Sequence, residues 1–232
     1  LNGTSSAANV GINGGTLRLG ASNRMLDTAA VTVLSAGILD LAGFDDTVGA
    51  FTLNGGLLNG TGTLTATSYS LNGGTVNANL GTGTLSQLSN TTNLNGTSAA
   101  GVVNINGGTL NLGASNRLSD SAAVTINNAI LNLGAFNDTV GTFTLNLGSL
   151  NGSGTLTATT YNLNGGTVNA NLGAGTLNQL TGTTVLNGSS AASSVNVDGG
   201  ILTLGSSNRL NDSAALVVNN GTLNLGAFSD TV

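Results

Sequence analysis

The fold is decided by the stretch Val103-Asn104-Ile105-Asn106-Gly107-Gly108-Thr109-Leu110-Asn111-Leu112, in which apolar and polar residues alternate on both sides of an Asn-Gly-Gly turn. Alternation with a period of two is typical of β-strands that bury one face. Helical spacing is hard to find anywhere in the chain, and its best candidate, residues 115–123, predicts at most one helical turn in a loop. The chain is therefore predicted to be all-β.

A long repeat organises these strands. Leu1-Asn2-Gly3-Thr4 returns as Leu94-Asn95-Gly96-Thr97 and as Leu186-Asn187-Gly188-Ser189, at spacings of 93 and 92 residues. We therefore divide the chain into internal repeats 1–93 and 94–185 and a partial repeat 186–232. The one-residue difference falls in a turn between residues 30 and 39, where changes of length are tolerated.

Turn signals such as Asn13-Gly14-Gly15 and Asn72-Gly73-Gly74 divide each repeat into five segments of roughly 18 to 19 residues, the length of a three-strand solenoid rung. Asn-Gly also marks antiparallel hairpins, so a meander or barrel is the alternative. A closed barrel cannot absorb an indefinitely repeated unit, whereas a helix of strands can. We predict one continuous β-solenoid over residues 1–232, a right-handed parallel β-helix by the handedness rule for parallel crossovers.

In such a coil, equivalent residues of successive rungs lie ~4.8 Å apart and form ladders. Outward Asn and Thr side chains are expected to form amide and hydroxyl ladders. The residues predicted to point into the core are Leu110, Leu112, Val124, Ile126, Leu131, Leu133, Phe143, Leu145 and Leu156.

The composition excludes several classes of function. The chain has no Cys, His, Pro, Trp, Lys or Glu, and four Arg face nine Asp, for a net charge of -5. No basic patch is present for nucleic acid or anionic lipid, and no apolar run is long enough for a membrane span. Because Leu1 lies inside a repeat without an initiator Met or a signal-peptide pattern, we expect a fragment or a processed product.

The segment from Asn106 to Asn146, with its SNR, DS-AA, LGAF and DTV elements, resembles the passenger-associated repeat of autotransporters and related giant bacterial surface adhesins. Copies of these elements lie at residues 13–54 and 198–232. The resemblance implies a β-helical passenger that is displayed outside the cell as a stalk, adhesin or matrix component, and it implies no catalytic residues. A translocating β-barrel and a protease-like insertion are absent from this sequence.

The recurrent charged residues are the candidate polar sites. An Arg is followed three residues later by an Asp at Arg24 and Asp27, Arg117 and Asp120, and Arg209 and Asp212. Charged loops repeated along a solenoid could bind a ligand multivalently. We favour the structural interpretation, in which each Arg and Asp pair locally or cap a turn.

A second Asp series precedes Thr-Val at Asp46, Asp138 and Asp230, with Asp45 beside the first. Carboxylates can bind calcium, but the tandem nonapeptide that does so in solenoids is absent, and we predict acceptors that close turns. The rows Thr63-x-Thr65-x-Thr67 and Thr155-x-Thr157-x-Thr159 are similar to those of ice-binding solenoids, yet they occur once in five rungs and predict ordinary strands.

Aromatic residues recur at fixed places, for example Phe136, Phe143 and Tyr161. Stacking on sugars is conceivable, and packing in the core or at corners is the prediction. We predict no catalytic, cofactor-binding or metal-binding residues, because no Lys, His or Glu is available and every Asp that recurs does so periodically, whereas an active site breaks a repeat once.

The predicted function is a structural shaft at the bacterial cell surface, a stalk or filament whose partners are copies of itself or the rest of a longer repeat array. The first alternative is a module that binds host or matrix glycans through outward Asn and Thr ladders. A polysaccharide-acting β-helix enzyme is a distant third.

Overall fold

The computed structural model describes all residues from Leu1 to Val232 as strands joined by turns, with no helix. Residues 115–123, the best helical candidate, form bends and a turn before a strand begins. The chain falls into two compact units, Leu1–Ser119 and Asp120–Val232. Each unit is a parallel β-helix, so the predicted fold class is confirmed. The antiparallel alternative survives only as an isolated bridge between Leu34 and Gly55 at a corner.

The first unit contains strands that stack in parallel around one core: β1 (Asn9–Arg18), β2 (Ala30–Asp40), β3 (Asp46–Asn54), β4 (Leu57–Asn59), β5 (Thr63–Leu71), β6 (Gly74–Val76), β7 (Asn79–Leu80), β8 (Thr84–Gln87), β9 (Thr91–Leu94), β10 (Val102–Ile105) and β11 (Thr109–Leu112).

The register of these strands shows the rungs directly. Equivalent positions on one face of successive rungs are Asn9, Ala30, Ala50, Ser68, Thr84 and Val102. Successive rungs therefore contain 21, 20, 18, 16 and 18 residues. Five rungs make up the 93-residue step seen in the sequence, so the predicted mean of roughly 18 to 19 residues is confirmed.

The second unit repeats this arrangement with β12 (Ala123–Asn132), β13 (Asp138–Asn151), β14 (Thr155–Leu163), β15 (Gly166–Val168), β16 (Asn171–Leu172), β17 (Thr176–Gln179), β18 (Thr183–Leu186), β19 (Ser194–Val197), β20 (Ile201–Leu204), β21 (Ala215–Val218) and β22 (Thr222–Asn224). Equivalent positions on one face are Ala123, Thr142, Thr160, Thr176, Ser194 and Ala215. The rungs contain 19, 18, 16, 18 and 21 residues, which gives the 92-residue step.

The extra residue of the first repeat is Ser35. Strand β2 pairs with β1 at an offset of 21 up to Val33 and of 22 from Ala36 onward. The offset between β2 and β3 is 20 up to Leu34, and β2 pairs with β4 at an offset of 19 from Ile38 onward. The first shift places the extra residue at position 34 or 35, and the second places it between positions 35 and 37. Ser35 is the only position common to both ranges. The predicted position of the insertion, in a turn between residues 30 and 39, is confirmed.

The core of each unit is a column of aliphatic side chains. Every side chain predicted to point inward is buried, and the most exposed of them, Leu112, is only 4% exposed. Each contributes ~1.5 to 3 kcal/mol when fully buried. Tyr69, Tyr161, Phe51 and Phe143 are the largest side chains that are fully buried.

Two kinds of corner use the left-handed backbone conformation. Asn23, Asn116 and Asn208 have φ of 53°, 55° and 55°, a region that Asn tolerates better than most residues. At another corner the second repeat has Gly134 with φ of 60°, whereas Ala42 takes the equivalent place in the first repeat with φ of 56°. The order of Gly and Ala is reversed there, so the first repeat carries local backbone strain.

At other positions glycine is required because the backbone of a neighbouring rung lies too close for a side chain, and not because the backbone has a positive φ. A Cβ at Gly62 would lie 2.6 Å from the carbonyl carbon of Phe44 on the preceding rung. A Cβ at Gly154 would lie 2.6 Å from the carbonyl carbon of Phe136 in the same way. Contacts below 3.0 Å are essentially never seen for a real Cβ. The left-handed conformation therefore explains only part of the glycine content, and the close packing of rungs explains another part.

Candidate functional site

Arg24, the recurrent arginine of the first repeat, is bound to main-chain carbonyls. Nε of Arg24 donates a hydrogen bond to the carbonyl of Ser22 at 2.9 Å, and Nη1 donates to the carbonyl of Asn2 at 3.3 Å. The guanidinium makes no ion pair with Asp27. Of the two structural alternatives, local pairing with Asp27 and capping of a turn, the second is confirmed: Arg24 caps its own turn, and it also reaches the neighbouring rung.

The same contacts recur in the later repeats. Nε of Arg209 donates to the carbonyl of Ser207 at 3.1 Å, and Nη1 donates to the carbonyl of Asn187 at 2.9 Å. Nη1 of Arg117 donates to the carbonyl of Asn95 at 2.7 Å. The same hydrogen bonds recur with the repeat, and in each of them the guanidinium donates to a backbone carbonyl. We therefore assign these arginines a structural role.

Asp46 holds two rungs together. Its side chain is 1% exposed, and Oδ2 accepts hydrogen bonds from the backbone N–H groups of Arg24 at 2.8 Å and Met25 at 3.2 Å. Oδ1 is buried without a partner. Burial raises the pKa of the Asp46 carboxyl and nearby Asp27 adds to the rise, while backbone N–H donors, including that of Thr47, oppose it.

Asp230 makes the equivalent contacts in the second unit. Its Oδ2 accepts from the backbone N–H groups of Arg209 at 2.6 Å and Leu210 at 3.2 Å. Asp138, the remaining member of the series, is 1% exposed. The prediction that these carboxylates accept backbone hydrogen bonds is confirmed for Asp46 and Asp230, but the donors lie on the preceding rung and not within the turn.

The outward asparagines form the predicted amide ladders. In the first unit, Nδ2 of Asn77 donates to Oδ1 of Asn59 at 3.1 Å, and Nδ2 of Asn95 donates to Oδ1 of Asn77 at 2.8 Å. In the second unit, Asn169 donates its amide to Asn151 at 2.7 Å. Since each amide gives one hydrogen and one lone pair to its neighbours, these side chains are largely engaged in stacking.

The threonine rows do not extend into a flat array. Thr65 has Thr47 opposite it on the preceding rung, whereas Thr63 has Asn79 opposite it on the following rung. Thr67 donates its hydroxyl hydrogen to the carbonyl of Gly49. The rows therefore belong to ordinary strands, as predicted.

The aromatic residues are divided between core and corner. Tyr161 and Phe143 are fully buried, and the phenol oxygen of Tyr161 accepts from the N–H of Ala158 at 2.8 Å and donates to the carbonyl of Leu156 at 3.0 Å. Phe136 lies at a corner and is 37% exposed. The predicted packing in the core and at corners is confirmed, and no row of exposed aromatic rings is formed.

Sequence reasoning missed a pair of buried amides. Gln87 and Gln179 occupy inward positions and are fully buried. Nε2 of Gln87 donates to the carbonyls of Ser89 at 2.7 Å and Asn90 at 3.1 Å, so the side chain satisfies the turn that follows its strand. The signal that was available is the break in apolar alternation, where Gln stands in the place that Leu71 or Ile105 fills on other rungs.

A groove of about 520 Å³ lies on the first unit at the corner where Ser35 is inserted. It is lined by residues 35–38, 55–57, 74, 75 and 77, and we call it the corner groove. Its floor contains glycines and its walls carry two hydroxyls, one amide and two aliphatic side chains, so no charged residue lines it. Sequence reasoning did not identify this groove.

The charged residues give little support for chemistry. No group of three or more Asp residues is placed to hold a metal ion. A smaller groove of about 200 Å³ has Asp27 among threonines and Gly83 on its walls. The threonine hydroxyls beside this single carboxylate have no imidazole, amine or second carboxyl group in the groove that could complete a catalytic set.

Comparison with known protein families, curated proteins and solved structures gives no significant match to this chain. The structure also contains no helix with the length and hydrophobicity that crossing a bilayer requires.

Proposed function

We propose that this chain is a structural β-solenoid shaft of a bacterial surface protein, displayed outside the cell as a stalk or filament of an autotransporter-type adhesin or matrix fibre. One observation carries the proposal: the polar groups that recur in each repeat are used to hold one rung to the next. Arg24 and Asp46 bind the backbone of neighbouring rungs, and Asn77 sits in an amide ladder.

A shaft needs this kind of construction. Each rung contacts only its neighbours, so stability adds along the array and the number of repeats sets the reach. The uncharged polar exterior keeps such an array in solution without a strong electric field, since only 6% of the residues are charged. The partners we propose are further rungs of the same kind, from a longer array or from another copy of the chain.

A catalytic role has less support. The chain offers no Lys, His, Glu or Cys, and the buried carboxylate of Asp46 already accepts two backbone hydrogen bonds. We propose no cofactor and no enzymatic activity. Binding of glycans through the Asn ladders, the first alternative, is weakened because the ladder amides are paired with each other.

Immunogold electron microscopy of the source cells, with an antibody raised against this chain, tests the proposal. We expect label on rods or stalks outside the cell, and we expect protease treatment of intact cells to remove it. Label confined to the cell interior, or label that resists protease until the cells are lysed, would contradict the proposed location. Unbranched rods of indefinite length would favour a filament over a stalk.

A further inference from the structure

The geometry points to the corner groove as a binding site for a neutral oligosaccharide. This inference goes beyond the shaft and does not depend on it, because a groove on the first unit binds or fails to bind wherever the protein is located. The volume of about 520 Å³ falls within the range of known ligand sites.

The groove coincides with the place where the repeat is broken. Ser35 is the extra residue of the first repeat, as the register shifts show. Gly55 and Leu57, which also line the groove, correspond to Leu147 and Ser149 in the second repeat. Three departures from the second repeat therefore lie together along this groove, as expected where a ligand site interrupts a repeat locally.

The substitution of leucine by glycine opens the corner. Leu147 is 56% exposed, and its Cδ2 lies 3.4 Å from where a Cβ on Gly165 would be, so its side chain extends along the corner toward the next rung. Gly55 leaves that space free in the first repeat, and its φ of 81° disfavours a larger residue. The absence of a side chain at this position is therefore built into the backbone.

The floor of the groove is fixed before any ligand arrives. The N–H of Gly55 donates to the carbonyl of Gly73 at 3.0 Å, and the N–H of Thr75 donates to the carbonyl of Gly56 at 3.0 Å. Ile38, Leu57 and Thr75 lie directly above one another in register. Because these strands hold the walls in place, a ligand would not have to order them.

The lining selects an uncharged, hydroxyl-rich ligand. Ser35 and Thr75 offer hydroxyls, and Asn77 keeps one amide hydrogen beyond the one that it donates to Asn59. Ile38 and Leu57 offer an apolar strip for the C–H faces of sugar rings. No cation lines the groove to receive a carboxylate or sulfate, so acidic glycans are disfavoured.

The test is saturation-transfer NMR and calorimetric titration of the full chain with a panel of neutral hexasaccharides of glucose, mannose, xylose and N-acetylglucosamine, with oligogalacturonate as the acidic comparison. Ala36→Trp fills the groove, because Ala36 is exposed and lines it. Ala30→Trp is the matched control, since Ala30 is exposed on the same strand but lies outside the groove. Leu57→Ser introduces the residue of the second repeat.

We expect saturable binding of at least one neutral hexasaccharide at millimolar concentration or below. Ala36→Trp should weaken it at least tenfold and Leu57→Ser several-fold, while Ala30→Trp should stay within twofold of the wild type. Failure of every neutral sugar to bind, equal or tighter binding of oligogalacturonate, or unchanged affinity in the groove variants would overturn the assignment. If Ala36→Trp does not fold, Leu57→Ser and the control decide the matter.

Discussion

Replacement of Gly62 by alanine should open a rung of the first unit. The added Cβ would lie 2.6 Å from the carbonyl carbon of Phe44 and closer still to its oxygen, while real Cβ contacts stay above 3.0 Å. The rung therefore has to move by at least 0.4 Å at that carbon. The movement weakens two hydrogen bonds between rungs. The N–H of Asn79 donates to the carbonyl of Gly62 at 3.0 Å, and the N–H of Thr61 donates to the carbonyl of Ala42 at 2.6 Å.

The expected cost follows from these contacts. Overpacking in a rigid environment costs about 1 to 3 kcal/mol, and each weakened backbone hydrogen bond adds about 0.5 to 1.5 kcal/mol. We expect Gly62→Ala to lower the free energy of unfolding by about 2 to 6 kcal/mol. Gly101→Ala is the matched control: a Cβ there meets nothing within 4 Å, so its effect should stay within about 1 kcal/mol.

Urea titration followed by far-ultraviolet circular dichroism measures the difference between the two variants. Because solenoids can unfold rung by rung, hydrogen exchange should accompany it, and the amides of β5 and β7 should lose protection first in Gly62→Ala. Equal midpoints for the two alanine variants would refute the reasoning that close approach of rungs, and not turn conformation, requires Gly62.

Three further predictions concern backbone strain, a buried phenol and a buried carboxyl. Ala42→Gly should stabilise the fold by about 0.5 to 1 kcal/mol by relieving a left-handed alanine, while the reverse change Gly134→Ala should destabilise it, both measured by thermal melting. Tyr69→Phe should cost about 1 to 3 kcal/mol in urea, because the N–H of Ala66 loses its acceptor; a neutral result would contradict the role of the phenol. Burial raises the pKa of Asp46 in the folded chain. The contribution of Asp46 to stability is therefore complete at a pH below 3.8, the ordinary pKa of this carboxyl, and is lost as the pH rises through the folded pKa. The wild type should therefore lose stability relative to Asp46→Asn as the pH increases from acid to neutral, and parallel pH profiles would show this inference to be wrong.

The strands and the core could be predicted because they depend on local alternation. Val124 and Ile126 are both buried, because apolar residues two apart on a strand share a face. The position of the one-residue insertion was also predictable, because it follows from aligning one repeat with the next. These features require no knowledge of which residues lie on neighbouring rungs.

The contacts of the charged residues could not be predicted in the same way. Arg24 and Asp27 are close in the sequence, and their spacing predicts local pairing or a turn cap. The hydrogen-bond acceptors of Arg24 include the carbonyl of Asn2, 22 residues earlier. Asp46 accepts a hydrogen bond from the backbone N–H of Met25, 21 residues earlier. Such contacts depend on the length of each individual rung, which varies from 16 to 21 residues around a mean that the sequence reveals.

The corner groove was missed for a related reason. Glycine-rich turns predict where the chain bends, but they do not indicate which bends lie above one another. Gly55 and Ser35 become neighbours only when the register of β2 and β3 is known. A comparison of the two repeats, position by position, would have flagged Gly55 against Leu147 as a departure to be explained.

The inserted Ser35 has a consequence for how such chains can change over time. One more residue enters the corner, yet Val33 before it and Ile38 after it keep their partners on the adjoining rungs. Duplication errors that add or delete residues at bends are thus harmless to the stack, whereas the same errors inside a strand turn its apolar side chains outward. Corners of this kind are therefore suitable insertion sites for an epitope or a tag.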